Sequence, residues 1–183
     1  MTSSKELDLD LSFTGASQKV LAQISDECLG TILTEAEFWE KDLKDWIQYI
    51  RDNDLLLCPE LVRCTPVVTM GLQFTDDSTI AALNSAWRCK AETTDVLSFA
   101  AFDEKIYLSG SQFIELGDIV VSVTRAEKQA KQHDHSLLHE LRWLVSHGLL
   151  HLLGWDHPTD EKLNEMISCQ EQLLCFDGTL EKT

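Results

Sequence analysis

The stretch Ser146-His147-Gly148-Leu149-Leu150-His151-Leu152-Leu153-Gly154-Trp155-Asp156-His157 sets three histidines at a spacing that suits one metal ion. His147 and His151 are four residues apart, so on a helix their side chains lie on the same face. Gly154 is expected to end that helix in a left-handed conformation, and the reversal would bring His157 back as a third ligand. Leucines surround the two helical histidines, so we predict a buried helix that carries the site.

Three imidazoles with an open fourth position are typical of a catalytic zinc ion, whereas structural zinc sites are closed by four protein ligands. The competing interpretation is that His147 and His151 only hydrogen-bond within the core. A pair of histidines on one apolar face favours metal ligation, since burial of an imidazole requires a partner for both ring nitrogens. We predict one Zn²⁺ ion at His147, His151 and His157.

The same spacing occurs in metzincin proteases, where a glutamate after the first histidine acts as general base. This chain has Gly148 at that position, so a peptidase is the weaker hypothesis. Asp118, Glu140 and Asp156 are candidates for another base, and the sequence alone places none of them. Bound zinc by itself can bring the pKa of water to about 7, so hydrolysis does not require that glutamate. Asp156 either orients a ligand imidazole or is a turn residue.

The chain has 183 residues, of which 44% are hydrophobic, and a formal net charge of −16. Its length suits a single domain with its own core. The negative charge excludes a protein whose whole surface binds nucleic acid, so an anionic substrate needs a local basic patch. The candidates for that patch are Lys90, Arg125, Lys128 and Lys131. For the last three, a solvated helix face is the simpler interpretation.

The six cysteines are scattered, without a Cys-x-x-Cys pair, in a chain large enough to fold without disulfides. The N-terminus is polar and acidic and lacks the basic and apolar regions of a secretion signal. No apolar run approaches the length of a membrane span. We therefore expect a cytoplasmic protein without a membrane partner.

Hydrophobic periodicity predicts an α+β fold, a small mixed sheet with helices packed against it and the metal site on a central helix. A strand is predicted within residues 1–13, where Leu7, Leu9, Leu11 and Phe13 alternate weakly with polar residues. Further strands are predicted at residues 66–74, 94–99 and 119–122, with a loop or hairpin at 103–115. Helices are predicted at residues 34–51, 79–87, 125–132, 136–153 and 159–175. We expect a single domain over residues 1–183, with residues 1–33 as a poorly defined N-terminal extension and 34–183 as a metal-dependent core.

Two details of the helix at 34–51 are predicted from its sequence. Thr34 and Glu37 have the spacing of a capping box, which would begin the helix at Thr34. Its aromatic side chains recur at helical spacing and are expected to pack in the core rather than to bind a ligand. These aromatic residues are Phe38, Trp39, Trp46 and Tyr49.

A second group of residues, Leu83-Asn84-x-x-Trp87-Arg88-x-Lys90, places positive charge at a helix end. The strand Thr94-Asp95-Val96-Leu97-Ser98-Phe99 follows shortly after it. Alone, this pattern indicates a surface helix and a strand. An arginine that clamps a phosphate beside a metal would stabilise charge in phosphoryl transfer, which makes Arg88 a candidate catalytic residue.

With Gly117-Asp118-Ile119 and the histidine stretch, this group resembles the YbeY family of single-strand-specific, metal-dependent endoribonucleases that act in ribosomal RNA maturation. The resemblance extends from about Val67 onward. It implies zinc at the three histidines, Arg88 as the catalytic or phosphate-binding arginine, and a mostly parallel mixed sheet with the metal in a basic cleft. Cys89, Thr93 and Ala100 depart from the family pattern, and they bear on substrate fit more than on metal binding.

The residues themselves predict the metal, and the resemblance implies a zinc-dependent endoribonuclease that hydrolyses single-stranded RNA in ribosomal RNA maturation and ribosome quality control. In this hypothesis the metal polarises a phosphate oxygen or activates water, and Arg88 stabilises the developing charge. The alternative is a ribosome-assembly binding module with a structural metal, little nuclease activity, and ribosomal proteins or ribosome-associated factors as partners. The open coordination position argues against that alternative, and the negative surface argues for it.

Overall fold

The computed structural model describes residues 6–26, 29–88, 92–103 and 111–175, without the side chain of Arg88. The described elements are β1 (Asp8–Thr14), α1 (Gln18–Leu21), α2 (Gly30–Thr34), α3 (Glu37–Asp52), α4 (Glu60–Cys64), β2 (Val67–Thr75), α5 (Asp77–Arg88), β3 (Val96–Ala100), β4 (Phe113–Ser122), α6 (Val123–His133), α7 (Leu137–Leu152) and α8 (Asp160–Cys175). None of the helices in these ranges is long and apolar enough to cross a membrane.

The strands form one sheet in the order β1-β2-β4-β3. β2 pairs in parallel with both β1 and β4, and β3 pairs antiparallel with β4. The predicted α+β class is therefore confirmed, as is the mostly parallel mixed sheet that the resemblance implies.

The two faces of the sheet carry different helices. α7 packs on β3 and β4, and its core cluster includes Ile119 and Val121 of β4. Side chains alternate between the faces of a strand, so Val120 points the other way. There it clusters with Leu97 of β3 and with Ile80 of α5. α7 and α5 consequently lie on opposite faces of the sheet.

α3 begins at Glu37 with Ala36 as its N-cap, and no side chain caps it. The predicted capping box at Thr34 is wrong, because the Thr34 hydroxyl donates to the carbonyl oxygen of Gly30 at 2.8 Å and so completes α2. The expected core packing of the aromatic stripe is confirmed, since Trp39 and Trp46 are fully buried.

β4 begins at Phe113, within the region predicted as a loop or hairpin. The pairing register between β2 and β4 shifts next to Gly117, whose φ is +117°. Such a bulge breaks the alternation of buried and exposed residues by which a strand is recognised. The sequence pattern therefore revealed only the part of β4 that follows the bulge.

The segment expected to be an N-terminal extension supplies an edge strand of the sheet. β1 covers the second half of the strand predicted within residues 1–13 and extends to Thr14, and Leu7 and Leu9 are buried. The part of this segment that the structure describes is thus built into the same core as β2.

Candidate metal centre

The end of α7 is formed as the sequence predicts. After the last helical residue, Leu152, Gly154 adopts a left-handed conformation with a φ of +89°. The backbone N–H groups of Gly154 and Trp155 donate to the carbonyl oxygens of His151 and Leu150, each at 3.0 Å. This pair of hydrogen bonds is a Schellman motif, which reverses the chain and returns it towards the helix.

His147, His151 and His157 come together at this reversal. One ligand nitrogen from each lies within 4.8 Å of the others. The ring centroids of His147 and His151 are 4.6 Å apart, and that of His157 lies 5.5 Å and 5.2 Å from them. His157 is exposed, whereas the other two are half-buried. The geometry would allow the three to hold one ion, and their role as ligands stays a prediction.

Hydrogen bonds indicate which nitrogen of each helical histidine carries the proton when the ring is neutral. Nδ1 of His151 lies 2.9 Å from the carbonyl oxygen of Trp155, which can only accept, so in the neutral ring Nδ1 donates and Nε2 has a lone pair. Nδ1 of His147 lies 3.2 Å from Oε1 of Gln170. The amide nitrogen of Gln170 donates to the carbonyl oxygen of Trp143 at 3.0 Å, so its Oε1 is the acceptor. Nε2 of His147 therefore also has a lone pair.

The Nε2 atoms of His147 and His151 are 3.1 Å apart. In the neutral rings the two lone pairs face each other and repel unless a proton or a metal ion lies between them. Nitrogens bound to one tetrahedral zinc ion are separated by about 3.3 Å, so the spacing fits zinc. Burial lowers the pKa of His147 and favours the neutral imidazole, which is the form that binds metal.

A cleft of about 420 Å³ opens beside the histidines. His151, His157, Asp156, Ser98 and Ala100 line it. These described residues include no lysine or arginine, so the basic cleft that the resemblance implies is not seen in the described part of the chain.

Arg88 is the last residue of α5, and its side chain lies outside the described residues. Cys89 and Lys90 lie outside them as well. The predicted catalytic role of Arg88 therefore stays a prediction. The start of α5 is described, and the carboxylate of Asp76 accepts the backbone N–H of Thr79 there at 2.8 Å.

The other cations proposed for a basic patch have local partners. Lys128 pairs with Asp77 at 2.8 Å and Lys131 with Glu127 at 3.0 Å. Arg125 donates to the hydroxyl of Thr93 at 3.2 Å. These contacts agree with the simpler interpretation, a solvated helix face.

The three candidates for a general base lie in different places. Ile119 faces α7, and its neighbour Asp118 points to the other face of the sheet, away from the histidines. Glu140 is in the first turn of α7, at the far end from the reversal. Asp156 alone of the three lines the cleft, and its carboxylate accepts the backbone N–H of His157 at 2.8 Å. This contact supports the interpretation of Asp156 as a turn residue that positions His157.

Sequence reasoning missed Gln170, which orients His147. Gln170 is 1% exposed and lies on the inward face of α8, one turn after the buried Met166. A polar side chain on that otherwise apolar face was the available signal, because a buried amide needs hydrogen-bond partners.

The sequence is similar to that of known proteins over most of its length. The family described as Endoribonuclease YbeY matches residues 31–176. An endoribonuclease YbeY of Prochlorococcus marinus (strain MIT 9313) is 54% identical over 177 residues, which are 97% of this chain and 95% of that protein. The protein of the same name from Parasynechococcus marenigrum (strain WH8102) is 56% identical over 142 residues, or 78% of this chain and 77% of its own.

A solved structure is also similar. The solution structure of TM1509 from Thermotoga maritima superposes with a TM-score of 0.51 and is 20% identical in sequence. The match covers 95% of this chain and 97% of that one. At this identity the likeness supports the fold alone.

Proposed function

The chain belongs to the YbeY endoribonuclease family, and on this basis we propose that it is a zinc-dependent endoribonuclease that cleaves single-stranded RNA. The observation that carries the proposal is the approach of Nε2 of His147 to Nε2 of His151 at 3.1 Å, while Nδ1 of each ring faces an acceptor oxygen. His157 supplies the third nitrogen from the turn after α7. Three imidazoles leave a coordination position for water or substrate, as in catalytic zinc sites.

Zinc at this position would polarise a phosphate oxygen and lower the pKa of a bound water molecule. The residues around it keep the imidazoles in place. The carbonyl oxygen of Trp155 holds His151, and Oε1 of Gln170 holds His147. Such partners fix the ring orientation and raise the affinity for the ion. We assign to Arg88 the stabilisation of negative charge on the phosphate during cleavage, and the motif around Arg88 that this chain shares with the family supports that assignment.

We propose ribosomal RNA maturation in the cytoplasm as the biological setting. The relatives' name supports RNA as the substrate class, and the motifs shared with the family support ribosomal RNA. The four cysteines that the structure describes are free thiols, in keeping with a reducing compartment. The alternative of a ribosome-assembly module gains no support from the comparisons, since the relatives carry the name endoribonuclease.

The test is substitution of His147 combined with two measurements on the same protein. We expect His147→Ala to lose the zinc of this site and the cleavage of single-stranded RNA together. His139→Ala is the matched control, because His139 lies two turns earlier on the same helix and outside the cluster. It should keep both properties. A His147→Ala protein that lacks this zinc and still cleaves RNA at the wild-type rate would refute the proposal.

A further inference from the structure

A second group of residues of the types that bind metal ions lies at the opposite end of α7. One ligand atom from each of His133, His135 and Glu140 lies within 4.8 Å of the others. His133 ends α6, His135 lies in the following turn, and Glu140 belongs to the first turn of α7. Glu140 and His147 are separated by about 10 Å along the helix, at about 1.5 Å per residue. The two groups of ligands are therefore distinct.

The backbone of the turn is held in place without any ion. Asp134 adopts a left-handed conformation with a φ of 58°, and its N–H donates to the carbonyl oxygen of Ala130. The N–H of His135 donates to the same oxygen at 3.1 Å. The Ser136 hydroxyl then accepts the N–H of His139 at 3.1 Å and caps α7. The positions of the two histidines relative to Glu140 are thus determined by the fold.

Glu140 forms the inner side of this group. Its side chain is 5% exposed, whereas those of His135 and His133 are 28% and 60% exposed. Oε2 of Glu140 lies 2.5 Å from Nε2 of His135 and 3.9 Å from Nδ1 of His133. Buried carboxylates are found paired or bound to a metal. Here the carboxylate has two imidazoles between it and solvent, so an ion can reach it without rearrangement of the core.

The distances are close to those of a coordinated ion. Ligand atoms of one tetrahedral zinc ion lie about 3.2–3.5 Å apart. The contacts of 2.5 Å and 3.9 Å from Glu140 fall on either side of this range. Small rotations of the half-buried ring of His135 and the exposed ring of His133 would bring both contacts into it. An ordinary ion pair would need only His135, whereas the ring of His133 packs edge-on against that of His135 and adds a second imidazole nitrogen 3.9 Å from the same oxygen.

We propose that His133, His135 and Glu140 form a second metal site, which binds a divalent transition-metal ion and ties the end of α6 to the start of α7. Two imidazoles and one carboxylate suit zinc and similar ions such as nickel or cobalt, whereas magnesium and calcium prefer sites made only of oxygen. The proposal concerns binding, and it stands or falls independently of RNA cleavage.

The test is calorimetric titration of the metal-free full chain with zinc at micromolar concentration. We expect two equivalents for the wild type and one for the double variant His147→Ala/His151→Ala. In the background of that double variant, His133→Ala should weaken the remaining binding at least about tenfold, by loss of one of three protein ligands. His139→Ala is the matched control and should not change it, since His139 is outside the ligand group although its ring centroid is 4.8 Å from that of His135.

His133 is exposed, so its substitution is not expected to unfold the chain, and circular dichroism checks this for each variant. Three results would overturn the proposal. In the first, a folded His147→Ala/His151→Ala protein takes up no zinc. In the second, it binds only at millimolar concentration. In the third, its remaining zinc is retained with equal affinity after His133→Ala. A wild-type protein that cleaves no RNA but binds both ions would refute the proposed function and leave the second site intact.

Discussion

Gly148 lies so close to Ile119 that a β-carbon on the glycine would be 2.8 Å from Cγ2 of the isoleucine. α7 therefore rests directly on β4, and the Ser98 hydroxyl of β3 donates to the carbonyl oxygen of Gly148 at 3.3 Å. This packing explains why the residue after the first histidine is not the glutamate of metzincins. The close packing of α7 on β4 determines how far His147 and His151 lie from the sheet, and it leaves no space for a side chain at position 148.

Substitution of this glycine should test the packing. We expect Gly148→Ala to lower the free energy of unfolding by about 1–3 kcal/mol, as overpacked cores do. Gly30→Ala is the control, since a β-carbon there would meet nothing within 4 Å. It should change stability by less than about 0.5 kcal/mol. Urea denaturation measures both, and equal stability of the two variants would show that α7 does not depend on this contact.

Removal of Gln170 should weaken the binding of metal without removing a ligand. We expect Gln170→Ala to lower zinc affinity about 10- to 100-fold, because His147 loses the acceptor that orients it. Competition with a chromophoric chelator gives the affinity. Gln172→Ala is the matched control, since Gln172 is exposed and contacts the hydroxyl of Tyr49 instead. Unchanged affinity in the Gln170 variant would mean that the contact does not orient the ligand.

A buried ion pair fixes α7 to α3. Nε of Arg142 donates to Oδ2 of Asp42 at 2.8 Å, and the two side chains are only 8% and 3% exposed. We expect Arg142→Ala and Asp42→Ala each to cost about 3–5 kcal/mol, because each leaves the partner's charge buried. The double variant should cost clearly less than the sum, which guanidinium denaturation can determine.

The control for this pair is another ion pair on α3. Lys41 and Asp45 are 2.9 Å apart, with 68% and 40% of their side chains exposed. Lys41→Ala should cost less than about 0.5 kcal/mol, since helix-surface pairs contribute little. For the buried pair, a double variant that loses as much free energy of unfolding as the two single variants together would indicate that Asp42 and Arg142 act independently.

The metal-free protein should lose stability in acid partly through His147. Burial lowers the pKa of His147 from the ordinary value of 6.5. Below pH 6.5 His147 is therefore protonated in the unfolded chain while it is still neutral in the folded chain. Stability should then fall as the pH drops from 6.5 towards the lowered pKa, and it should be fully present above 6.5. The melting temperature of the chelated protein between pH 7.5 and 5 measures this dependence.

His139 also has a pKa lowered by burial, so the comparison has to be made between proteins that both retain it. His147→Gln should therefore show a flatter decline of the melting temperature than the wild type. A variant with the same decline would show that His147 does not contribute to it.

Signals that act locally could be recognised in the sequence. Ser136 and Gly154 begin and end α7 through hydrogen bonds to their own neighbours, and the histidine spacing follows from the helix between them. The capping box predicted at Thr34 was wrong because the Thr34 hydroxyl donates to the carbonyl oxygen of Gly30 in α2, and the sequence pattern of α3 alone does not show that α2 precedes it. Gln170 could not be assigned because its contact with His147 depends on how α8 packs against α7.

The role proposed for the three histidines is tested most directly by the cleavage of a single-stranded RNA by the protein before metal removal, after it, and after zinc is restored. We predict that the chelated protein loses cleavage and regains it with zinc, and that His151→Ala does not regain it. Cleavage by the metal-free protein at the undiminished rate would contradict a catalytic metal at His147, His151 and His157.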